Sequence, residues 1–182
     1  MTELSNQLQP SLVPDEELLN PFEIKMIPAD YREYYKTRKQ NFLAIIERFP
    51  GLWNYYQALD SIVLNEFTDL QSIRDINKMF PLMLLMNSHA KIRLSMELAF
   101  SGCLPESRSL MRDAVEFVAH ANSMFKDAAL QAVWLNKDEE LEAFRDAFER
   151  NKKNGLFKDQ PELHRVWGQL SEMGSHATIS SL

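Results

Sequence analysis

A single cysteine, Cys103, stands in 182 residues. No intrachain disulfide can form, and no thiolate cluster can hold a metal. Glycine is scarce as well, with 5 residues against 9 methionines and 11 phenylalanines. That balance disfavours tight turns and favours long helices filled by large, adaptable side chains. Positive charge is in deficit: 20 Lys and Arg face 26 Asp and Glu, giving a net charge of -6 and a pI near 5.3. A broad nucleic-acid-binding surface needs clustered positive charge and is disfavoured. Two short basic runs, "KTRK" (Lys36 to Lys39) and "RNKK" (Arg150 to Lys153), leave room for a local patch. Such runs are usually solvated helix faces.

Long apolar runs are missing too. The longest, Met79 to Met86, has eight residues and gives way to Asn87, His89, Lys91 and Arg93. It is far too short to span a bilayer. The first residues, "MTELSNQLQP", carry neither a basic region nor an apolar stretch, so they do not read as a secretory signal. The expected location is the cytoplasm, with no membrane contact. No segment alternates like a strand, and no repeat or low-complexity tract occurs.

What is present is helical periodicity. Residues 1–28 hold Pro10, Pro14, Pro21 and Pro28 and read as an extended or partly disordered arm. Its "NPFEIKMI" stretch is apolar enough to dock on the remainder. Residues 29–182 read as a single helical domain. Asp30 is the expected N-cap of a first helix striped by Tyr31, Tyr35, Arg38, Phe42, Ile45 and Phe49. Pro50-Gly51 ends it. Leu52, Tyr56, Leu59, Val63, Phe67 and Leu70 stripe a second. A third, from about Asn77 to Phe100, opens with "MFPLMLLM", apolar all round, and is expected to be central and buried. Pro81 sets its true start later if it breaks the first turns.

Gly102 suits the position past that helix, and Pro105 suits the first turn of a fourth. Further helical pattern breaks near Asn136, and Pro161 opens a last helix. The fold class is therefore all-α: an antiparallel bundle of about five to seven helices. Leu84, Leu85, Leu110, Ala114, Phe117, Val118 and Trp167 are the expected core.

Two helices carry polar lines at every fourth residue. Arg108, Arg112, Glu116 and His120 form one; His89, Arg93 and Glu97 form the other. In an antiparallel hairpin turning near Cys103, Glu97 comes level with Arg108 or Arg112. His89 comes level with Glu116, and Arg93 with Arg112 and Asp113. One reading is a structural ion-pair seam of His89, Arg93, Glu97, Arg112 and Glu116, since buried charges persist when paired. The other is a site, in which arginines hold a phosphate or carboxylate and His89 or His120 serves as acid or base. Glu116 and His120 could both face one ion. The paired Glu-x-x-His copies of di-iron bundles are absent, however, so neither metal nor other cofactor is expected. Near the end, Ser175 and His176 are adjacent and cannot act as nucleophile and base. Gly174 and His176 read instead as a helix C-cap.

The stretches "SRSLMRDAVEFVAHANSMFKD" and "WGQLSEMGSHA" resemble bacterial helical proteins associated with the HEPN superfamily, over about residues 95–180. The resemblance implies a four- or five-helix up-and-down bundle, often dimeric. Some members are metal-independent RNases of toxin and defence systems. The positions that carry the likeness are Arg112, Glu116 and His176. The chain departs from the RNase pattern: seven residues separate Arg112 from His120, and ten separate Arg165 from His176. The chain also stops soon after its Ser-His element, as though a final helix were missing, and an apolar groove left open there would suit a second subunit.

Two functions follow. The first is a non-catalytic helical module that binds itself or another protein, in a defence or toxin-antitoxin-like setting. The second is a HEPN-like RNase or nucleotide-binding protein, with Arg108, Arg112, Glu116, His120 and His176 as the candidate catalytic residues.

Overall fold

The computed structural model describes residues 28–68, 75–150, 152–153 and 155–175. Apart from Pro28, the expected N-terminal arm lies outside them. The fold is all-α. Seven helices are found among the described residues: α1 (Ala29–Arg48), α2 (Pro50–Thr68), α3 (Ile76–Phe100), α4 (Leu104–Lys126), α5 (Ala129–Leu135), α6 (Leu141–Phe144) and α7 (Pro161–Ser175). A π-helical turn, Arg145–Glu149, prolongs α6.

Helix α1 starts two residues earlier than an Asp30 cap would place it. Pro28 sits at the cap, and its carbonyl accepts from the Arg32 amide at 3.0 Å. Asp30 falls in the first turn, where a negative charge meets the positive end of the helix dipole. The α3–α4 turn forms as expected. Gly102 takes φ of 87°, the Gly102 amide bonds Ala99 O, and the Cys103 amide bonds Leu98 O. This pair of bonds is the Schellman arrangement, which needs a residue free to adopt left-handed backbone. Pro105 lies in the first turn of α4.

Pro81 does not delay α3. It lies inside the helix and is buried. A proline there leaves the carbonyl four residues earlier without its donor. That carbonyl belongs to Asn77, and it accepts instead from Gln131 Nε2 at 2.5 Å. The side chain of α5 thus repairs the backbone of α3.

Helices α3 and α4 form the central antiparallel pair, with α7 on the other side of α4. Their contact is lined by small residues. Ser88 Oγ donates to Ala114 O at 2.9 Å, and Ser95 Oγ donates to Ser107 O at 2.8 Å. Small side chains let two backbones come close, and each buried hydroxyl finds an acceptor. The core gathers where α4 meets the later helices: Val115, Ala119, Met124, Phe148, Leu156 and Phe157, together with Leu84 of α3.

Several core expectations are corrected. Leu84 and Ala114 are buried; Leu85, Phe117 and Trp167 only pack partly against the core; Leu110 and Val118 are half-buried. The apolar first half of α3 is not enclosed, since Met79, Met83 and Met86 are exposed. Burial there follows the 81, 84, 88 spacing, which is one face only.

Candidate functional site

The expected charged seam between α3 and α4 does not form. Pairing of Ser88 with Ala114 and Ser95 with Ser107 puts the two helices about one turn out of the expected register. The serine face of each helix turns inward, and the two polar lines point away from each other. Lys91 of α3 instead pairs with Asp113 of α4 at 3.3 Å and lies over the Phe117 ring, 5.3 Å from its centroid.

The α3 line faces the α1–α2 hairpin. Asp60 of α2 receives Arg93 through two bonds, Nε and Nη2, both at 2.9 Å. His89 Nε2 lies 2.6 Å from the same carboxylate. Asp60 is only 14% exposed. Burial works to raise its pKa, and the bonds from Arg93 and His89 outweigh that, so the carboxyl sits below its usual value. Glu97 does not reach Arg108 or Arg112; it is exposed on the wall of a cavity of about 720 Å³ between the hairpin and α3.

The α4 line faces α7 and the loop before it. Glu116 Oε1 accepts from Lys152 Nζ at 2.9 Å and from Trp167 Nε1 at 2.5 Å. Lys152 also sits over the Trp167 ring, 4.8 Å from its centroid. Desolvation pushes the Glu116 carboxyl up. The hydrogen bonds from Lys152 and Trp167, and then the charges of Lys152 and Arg112, more than reverse this, leaving its pKa lowered. Arg112 makes no bond to Glu116. Its Nη2 is 3.9 Å from Asp113, and its buried Nε lacks a partner. Arg108 is half-buried and forms no ion pair with another described residue.

His120 is buried between Phe144 and Phe148, the latter ring edge-on at 4.9 Å. Its Nδ1 has no partner. Burial lowers its pKa to about 4, against a smaller upward pull from Glu116. An imidazole this enclosed stays neutral at pH 7 and is poorly placed to exchange protons with a ligand. His176 lies outside the described residues.

The candidate residues are thus divided between two clusters on opposite sides of the α3–α4 pair. Among the described residues, no group of three or more His, Cys, Asp or Glu side chains comes together as a metal site. Two central residues, Asp60 and Lys152, stand outside the polar lines that the sequence singles out. Asp60 belongs to the half-buried line Trp53, Tyr56, Asp60 and Val63, at spacings of three and four, a signal readable in the sequence. Lys152 stands in the "RNKK" run, whose charge alone reads as a solvated face. No family model, curated protein or solved structure matches this chain.

Proposed function

We propose that the protein is a non-catalytic, self-associating helical module, with α2 as the seam between two copies. The observation that carries this reading is the hairpin's lack of cover. No side chain of α1 is buried, and none of the described side chains of α2 is. Yet α2 exposes Leu52, Tyr55, Leu59 and Ile62, spaced three, four and three. That is a heptad-like stripe, the pattern by which helices pair.

A second copy fits the stripe better than an unrelated chain. Laid antiparallel about a two-fold axis between Tyr55 and Leu59, the stripe meets itself, as an isologous contact requires. The HEPN resemblance points the same way, because such bundles are often dimeric. The groups proposed for catalysis are engaged otherwise, with Glu116 held by Lys152 and Trp167 and His120 enclosed by phenyl rings.

Sedimentation velocity at micromolar concentrations tests this. The expected result is a dimer for the native chain and a monomer of unchanged helicity for Leu59→Glu. A native chain that stays monomeric throughout that range would overturn the reading.

A further inference from the structure

The cavity between the α1–α2 hairpin and the C-terminal half of α3 encloses about 720 Å³. Small-molecule sites occupy about 300–1,000 Å³. Its lining combines two chemistries. Phe42, Trp53 and Tyr56 supply aromatic wall, with Phe42 and Trp53 edge to face at 5.7 Å. Phe100, almost fully buried, backs both rings. Arg38, Lys39 and Arg93 supply positive charge, and Glu97 is the one acid among the described lining residues.

The cations are not equivalent. Arg93 is fixed in place by its two bonds to Asp60, so its plane is oriented before anything binds. Arg38 holds a buried Nε with no hydrogen-bond partner among the described residues. That atom is closed to solvent, so Arg38 meets the cavity through the remainder of its side chain, which lines the wall. Aromatic walls suit a flat ring, and with Asp60 paired to Arg93 and Glu97 on the wall, three cations against two acids leave one positive charge for an oxyanion.

We propose that this cavity binds a small planar aromatic anion, the ring lying against Phe42, Trp53 and Tyr56 and the carboxylate or phosphate meeting Arg38 with Arg93. The Leu52–Ile62 stripe is centred about 100° round α2 from the cavity-side residues Trp53, Tyr56 and Asp60, on a neighbouring face of the helix. No bond is made or broken; the step is binding alone.

Calorimetry on the full chain with three probes decides it: indole-3-acetate, 1-naphthyl phosphate, and the neutral alcohol 2-(indol-3-yl)ethanol. At least one anion should bind with Kd of about 10–100 μM, and whichever binds tighter identifies the head group. The neutral alcohol should bind roughly ten-fold more weakly or worse, the loss expected for a charge-assisted hydrogen bond. Arg38→Met should weaken the anion about ten-fold and leave the alcohol unchanged. Ala90→Phe, which fills the cavity from the exposed surface of α3, should abolish binding of all three while far-ultraviolet circular dichroism is retained. Failure of both anions to bind at about 1 mM overturns the proposal. So does equal affinity for anion and alcohol in the native chain, a result that needs no variant to fold.

Discussion

His120 is held neutral between Phe144 and Phe148, and this sets part of the bundle's response to acid. Its pKa in the folded chain, about 4, lies below the ordinary 6.5. Between those values the unfolded chain binds the proton and the folded chain does not, so stability falls as the pH falls. The contribution is intact above pH 6.5 and is lost progressively on the way to pH 4. At about 1.4 kcal/mol per unit, the loss is roughly 3 kcal/mol. His120→Leu should flatten urea-unfolding stability over that window, and a variant that still tracks the native pH profile would refute the assignment. Glu116 acts lower on the scale. Its folded pKa is depressed, so its contribution is present above about 4.5 and fades as pH drops through the folded value. Glu116→Ala strands Lys152 and Trp167 Nε1 and should destabilise by about 2–4 kcal/mol. In double-mutant cycles it should couple to Lys152→Met and be additive with His89→Ala, because His89 lies on the far side of α3 with Asp60. Coupling between Glu116 and His89 would restore the ion-pair seam that the four-residue spacing suggests.

The elements themselves were largely readable from the chain. Pro50-Gly51, Gly102-Pro105, Asn136 and Pro161 are backbone signals, and each marks an observed boundary. Helix register was not readable, because it depends on which of several faces packs. The charged lines at every fourth residue drew attention, while Ser88, Ser95 and Ser107, which make the contact, look unremarkable as hydrophilic residues. Close approach rewards small volume more than hydropathy, and spacing arguments built on charge miss it. The consequence is measurable. Ser95→Leu inserts bulk between α3 and α4 and should cost about 1–3 kcal/mol despite adding apolar area, as judged by thermal unfolding. Ser95→Ala keeps the volume and loses the bonds to Ser107, so its cost should be nearer 1 kcal/mol. Equal stability for Ser95→Leu and the native chain would mean that the seam is loose.

At the level of the whole molecule, the fold has a dense half and an open half. Phe148, Leu156, Phe157 and Met124 lie in the dense half, whereas the α1–α2 hairpin touches α3 through a handful of side chains around Asp60 and Phe100. Phe148→Ala should cost roughly 3–5 kcal/mol. The midpoint of thermal unfolding should rise with protein concentration in the native chain and not in Leu59→Glu, by mass action on a dimer. The open half was invisible in composition, because "MFPLMLLM" and the α2 stripe are apolar whether another helix or another molecule covers them. One further consequence rests on Gln131. Its amide completes the backbone of α3 at Asn77, 54 residues earlier in the chain. The first turn of α3 closes on its own cap, Asp75, whereas the Asn77 carbonyl gains its partner only from a helix made later in the chain. Gln131→Ala leaves that acceptor unpaired and should lower stability by about 1–3 kcal/mol in thermal unfolding; an unchanged midpoint would show that the Asn77 carbonyl needs no partner.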